Sequence, residues 1–158
     1  MSKEKKENPL ISTHHEARHY YEILESVEAG IVLVGCEVKS LREGQCSLAG
    51  CFARFEGPHL VVQNLYITPY PQGNRENPDP RRLRKLLLHR SQLEKLKARV
   101  QERGLAIIPL KMYFNDRGIA KLELGVARSK KLHDQRADVK KRESDRQMDR
   151  AIKNRNRK

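Results

Sequence analysis

LAIIPLKMYFNDRGIAKLELGVAR, residues 105–128, carries a strong hairpin pattern. Asn115-Asp116-Arg117-Gly118 is turn sequence set between two runs rich in β-favouring residues. Asn, Asp and Gly tolerate the backbone angles that a tight connection needs, so the stretch reads as a β-hairpin. Lys121-Leu122-Glu123-Leu124 alternates with the period of two expected of a strand with one buried face. Pro109 has no amide donor and belongs at an edge or a bulge.

The elements upstream extend this β reading. SQLEKLKARVQERG (91–104) places Leu93, Leu96 and Val100 on one helical stripe. Ser91 and Glu94 have capping-box spacing there, and Gly104 is placed to stop the helix. TPYPQGNRENPDPRR (68–82) is dense in Pro, Gly and Asn and reads as a long loop, a place where function often sits. CFARFEGPHLVVQNLYI (51–67) gives two β runs around Gly57-Pro58, a second hairpin. CEVKSLREG (36–44) reads as a short helix with Val38 and Leu41 on its buried side and Gly44 at its end. YYEILESVEAGIVLVG (20–35) is a long strand, with Gly30 expected at a bend or bulge. About five strands with one plugging helix predict a mostly β fold with flanking helices. The leading candidate is an OB-fold-type closed antiparallel barrel over residues 17–128. A flexible segment (1–16) precedes it and a basic tail (129–158) follows.

Charge is unevenly distributed. The 158-residue chain has a formal net charge of +13. Residues 126–158 hold thirteen Lys/Arg against five Asp/Glu, and residues 81–99 hold eight against one. Such an excess speaks of polyanionic partners, not of fold. No apolar run approaches the roughly 20 residues of a membrane-spanning helix. The first residues, MSKEKKENP, lack the apolar middle of a secretory signal, so a cytoplasmic protein is expected. Cys36, Cys46 and Cys51 fit neither a disulfide framework nor a zinc-ligand spacing and read as reduced thiols.

Catalytic signatures are missing: there is no nucleophile elbow, P-loop or dinucleotide fingerprint. HHEARH (14–19) sets His15 and His19 one turn apart, but not in the order of a zinc-protease helix, and reads as exposed polar sequence. RRLRKLLLHR (81–90) is more informative. Five cations in ten residues repel one another unless an anion lies among them, which points to backbone phosphate. Leu86, Leu87 and Leu88 cannot all face inward from an extended chain, so at least one is left outside for an unstacked base. Three readings follow: a non-catalytic binder of a structured RNA, an enzyme acting on RNA or a phosphate ester, and a generic single-strand binder. With 5% aromatic residues and no Trp, the stacking surfaces of the third are scarce.

EAGIVLVGCEVKSLREG (28–44), ITPY (67–70), DPRRLRKLLLHR (79–90) and KLELGVARSKKLHDQR (121–136) together resemble the SsrA-binding protein family, also called small protein B. The resemblance implies a cytoplasmic, non-catalytic protein without cofactor or metal. Such a protein binds the tRNA-like part of transfer-messenger RNA and delivers it to stalled ribosomes for trans-translation. Alanyl-tRNA synthetase and elongation factor Tu act on the same RNA. The family's RNA-facing positions fall here on Glu28, Lys39, Arg42, Arg84, Lys85 and Leu87, beside Arg81 and Arg82 of the basic band. The whole band is expected on the same side of the barrel as Glu28 and Arg42. Three departures stand out: His14 where the family usually has Asn, Ser129 for Gly, and Gln135 for Lys.

From Val126 onward the apolar residues Leu132, Val139, Met148 and Ile152 are too sparse to offset the ordering of about 30 residues at about 1–2 kcal/mol each. The free tail is therefore expected to be disordered. Arg142, Arg146, Arg150 and Lys153 still form a helical stripe, and Asp138 with Arg142 and Asp149 with Lys153 have the acid-first spacing that favours helix. By the resemblance, the tail becomes helical in the ribosomal decoding centre and mRNA channel. Its contacts there would be Lys130, Lys131, His133, Asp134, Arg136, Lys140, Arg142, Arg146, Arg150 and Lys153.

Overall fold

The computed structural model describes residues 9–157. Strand β1 (Leu10–Thr13) leads through α1 (Ala17–Tyr20) into β2 (Tyr21–Ile31) and α2 (Gly35–Arg42). There follow β3 (Cys46–Ser47), β4 (Phe52–Glu56), β5 (His59–Gln63) and β6 (Tyr66–Ile67). A 3-10 turn at Pro71–Glu76 lies in the long loop before β7 (Arg84–Leu87). The chain ends with α3 (Arg90–Arg103), β8 (Ala106–Phe114), β9 (Ala120–Ser129) and α4 (Leu132–Asn156).

The predicted hairpin is β8 and β9, in register from Ala106 opposite Ala127 to Phe114 opposite Ala120. The Asn115 carboxamide oxygen accepts the amides of Arg117 (3.0 Å) and Ile119 (2.8 Å), which explains why Asn begins the turn. Pro109 sits at a register shift in this pair, where its missing N–H costs nothing. All pairings are antiparallel and run β1-β8-β4-β5-β7-β2-β9, and β8 also pairs with β9. The sheet thus returns on itself, with β1 outside the ring and β3–β6 forming a separate small pair. Inward-facing Leu122, Leu124 and Val126 of β9 join Met112, Leu60 and Leu86 in the core. Leu96 of α3 is buried among them, flanked by Leu93 and Val100.

Several expectations need correction. The large sheet has more strands than the five expected. Residues 10–13, within the segment expected to be flexible, form β1 and pair with Lys111–Tyr113 of β8. The expected flexibility of residues 1–8 lies outside the described residues. Gly30 is regularly paired with Lys121 and Leu87, and the bulge of β2 falls between Ile23 and Glu25. What Gly30 supplies is clearance, since a Cβ there would lie 3.2 Å from Leu87 Cβ. Helix α3 starts at Arg90, where the Gln92 side chain accepts the His89 amide at 3.3 Å in place of a Ser91–Glu94 box. Gly104 does end it, at φ +61°. The tail forms the continuous helix α4, with no buried residue.

Candidate nucleic-acid interface

Helix α2 begins where β2 leaves the sheet. Its third residue, Glu37, reaches back to accept the Val34 amide at 3.1 Å. The same carboxylate is 3% exposed and binds two arginines of the basic band. Arg82 Nη2 donates to Oε1 at 2.5 Å, and Arg84 Nε donates to Oε2 at 2.5 Å. Burial pushes the Glu37 carboxyl up, but Arg82, the Val34 amide and Arg84 outweigh it, holding the group below its ordinary value. The remaining Arg84 donors reach the carbonyls of Leu65 (2.6 Å), Pro80 (3.1 Å) and Arg82 (3.3 Å).

This geometry corrects the reading of Arg84. Its side chain is 0% exposed and meets protein on every side, so it is not a phosphate contact. Crowded cations did imply an anion, but that anion is this chain's own Glu37. Helical periodicity alone puts Glu37 on a polar, outward face of α2. No local signal separates a buried acid from an exposed one there, because its partners lie more than 40 positions downstream.

Around this cross-tie the other basic side chains remain outward. Lys85 is exposed, as is Arg42 in the last turn of α2. Arg81 lies over the Tyr66 ring (5.3 Å) and Lys39 over the Tyr70 ring (5.5 Å), which stiffens both without neutralising them. Arg82 is divided, bound to Glu37 yet 28% exposed. Strand β7 alternates as its pleat requires: Arg84 and Leu86 go inward, Lys85 and Leu87 outward, with Leu87 51% exposed.

Register joins β7 to β2. Leu87 is opposite Gly30, two residues from the exposed Glu28 on the same face of β2. Across β9, Glu28 is opposite Glu123, which pairs with Lys111 at 3.1 Å. The Tyr113 hydroxyl donates to Glu28 Oε2. Lys85, Leu87 and Glu28 are therefore brought onto one outer surface, while Arg82 and Arg84 gather at Glu37. Sequence reading missed Tyr113 and Lys111, because strand register alone brings β8 within reach of β2.

At the other end, Lys130 is also withdrawn from the set of free tail cations. Its amide donates to Tyr20 O and its ammonium to Arg18 O, both at 2.9 Å. The same ammonium pairs with Asp138, for which the sequence spacing offers Arg142. The hydrogen bond from Lys130 holds the Asp138 carboxyl below its ordinary value. Lys131, His133, Asp134, Arg136, Lys140, Arg142, Arg146, Arg150 and Lys153 are exposed.

Among the described residues no cluster of three His, Cys, Asp or Glu could hold a metal, and no helix is long and apolar enough to cross a membrane. A family model described as SmpB protein matches residues 11–154. The SsrA-binding protein of Syntrophotalea carbinolica is 51% identical over 92% of this chain and 97% of its own. That of Thermus thermophilus is 56% identical over 79% of this chain and 87% of its own. A solved chain of tmRNA-SmpB in the bacterial ribosome is 55% identical, covers 78% of this chain and 86% of its own, and superposes with a TM-score of 0.65.

Proposed function

The chain belongs to the SmpB family, and on that premise we propose that it binds transfer-messenger RNA and delivers it to stalled ribosomes for trans-translation. The observation that carries this reading is the basic rim held by the Glu37 cross-tie, with Lys85 and Leu87 outward beside Glu28. Cations projecting from such a rim suit recognition of a folded RNA by phosphate position and shape. The closed ring is read as an OB-type barrel and the protein as non-catalytic and cytoplasmic.

In this reading Glu28, Lys39, Arg42, Arg81, Arg82, Lys85 and Leu87 face the tRNA-like part of the RNA, and Arg84 supports them from beneath. The tail from Lys131 onward takes the decoding centre and mRNA channel, with Lys130 as its anchor. Recovering the protein from cells and sequencing the bound RNA tests the reading. One strongly enriched structured RNA is expected, and a mixed population of mRNA would overturn it.

A further inference from the structure

We propose that Tyr113 is a positioning residue for RNA binding. Its hydroxyl fixes one oxygen of Glu28, so that the other is offered outward to a neutral N–H or O–H donor of the RNA. This rests on the reading that Glu28 faces RNA.

A carboxylate in a phosphate-binding surface needs a reason to be there, since phosphate is repelled by it and a neutral donor is not. The Tyr113 hydroxyl donates to Glu28 Oε2, which leaves Oε1 without that partner. Tyr113 is a rigid support: it is 9% exposed, and the Lys111 ammonium lies 5.8 Å from its ring centroid. Lys111 also pairs with Glu123, the residue opposite Glu28, so the facing carboxylate is compensated and does not push Glu28 aside. Burial first, then Glu28 and Glu123, push the Tyr113 phenol far above its ordinary value, so it stays a donor throughout the working pH range. Beside this acceptor, the exposed Leu87 at the Gly30 clearance gives an apolar wall against which an unstacked base packs.

The donor class is shared by base amino groups and ribose 2′-hydroxyls. The test compares wild type, Tyr113→Phe, Glu28→Ala and the double variant for binding to the tRNA-like fragment of transfer-messenger RNA over a range of salt. Tyr113→Phe is expected to weaken binding roughly three- to tenfold, the scale of one hydrogen bond. The salt slope should not change, because every phosphate-neutralising cation is still in place. In the Glu28→Ala background the same change should cost nothing further. Fragments with single inosine-for-guanosine or single 2′-deoxy changes then identify the donor: the substitution at which wild type loses affinity and Tyr113→Phe does not. If Glu28→Ala weakens binding and Tyr113→Phe does not, the inference falls and the RNA-facing reading of Glu28 stands. If Glu28→Ala binds normally, both fall. An equal loss from Tyr113→Phe in the two backgrounds marks a merely structural role and also overturns the inference.

Discussion

Arg84 of β7 and Glu37 of α2 form a buried ion pair, Nε to Oε2 at 2.5 Å, with side chains 0% and 3% exposed. The pair ties the helix carrying Lys39 and Arg42 to the loop and strand carrying Arg81, Arg82 and Lys85. Removing one partner strands the other as a buried charge, which typically costs about 3–5 kcal/mol. Arg84→Ala should therefore lower the unfolding free energy by about that much in urea titrations. Arg84→Lys should not restore it, because an ammonium cannot serve Glu37 and three carbonyls arranged for a planar fork. An Arg84→Ala protein as stable as wild type would show that the tie does not hold these elements.

The same pair sets a pH dependence. The folded-state value of Glu37 is depressed below its ordinary 4.5, so the unfolded chain binds this proton more readily. Its stabilisation is present above about pH 4.5 and lost as pH falls through the folded value. Glu37→Gln removes this contribution, and its stability curve should be flatter than that of wild type below pH 4.5. Parallel acid unfolding curves for the two proteins would count against the assignment.

Exposed members of the band should behave in the opposite way to Arg84. Arg81 and Lys85 share no partner with Glu37, so replacing either by Ala should leave stability within about 0.5 kcal/mol. Each should weaken RNA binding and reduce the slope of log affinity against log salt by about 0.7–0.9 for every phosphate no longer neutralised. A normal slope in the double variant would remove the phosphate role from both.

The contrast between Arg84 and Lys85 marks how far the sequence could be read. Alternation along β7 follows from a period of two, and it required only that at least one of Leu86, Leu87 and Leu88 lie outside; Leu87 was singled out by the family resemblance. Which parity faces inward depends on Glu37, whose approach is fixed only once α2 has packed. The β8–β9 hairpin, the β4–β5 hairpin and α2 were legible because their signals are local: Asn115 with Gly118, Gly57-Pro58 and Gly44. Strand β1 was missed because four residues carry little periodicity and its order comes from pairing with β8. Lys130 looked like one more tail cation, yet the carbonyl it reaches belongs to Arg18, on an element no local pattern connects to it.

Lys130 should govern how the tail leaves the sheet. Lys130→Ala removes its ties to Arg18 O and Asp138 while retaining the amide bond to Tyr20 O. Hydrogen exchange should then quicken in the first turns of α4, with β8 and β9 unaffected. Lys131→Ala, which breaks no such tie, should leave exchange unchanged. Equal protection in Lys130→Ala and wild type would mean that α4 is fixed by something else.

The rest of α4 separates fold from function. It runs from Leu132 to Asn156 without a buried residue, and Leu132, Met148 and Ile152 are more than half exposed. Its helix is sustained mainly by its own backbone bonds, and an isolated helix of this kind is marginal in water. Exchange in its second half should accordingly be fast in the free protein and slow once a ribosome is bound. Removal of residues 132–158 deletes no core side chain, so the unfolding midpoint should be nearly unchanged. Binding to the tRNA-like fragment should persist, weakened only by the missing charge and restored toward wild type as salt screens that difference. Peptide tagging on stalled ribosomes should fail, because the stripe Arg142, Arg146, Arg150 and Lys153 is the part proposed to occupy the empty channel. A truncated protein that binds its RNA and tags at the normal rate would leave α4 with no role in delivery.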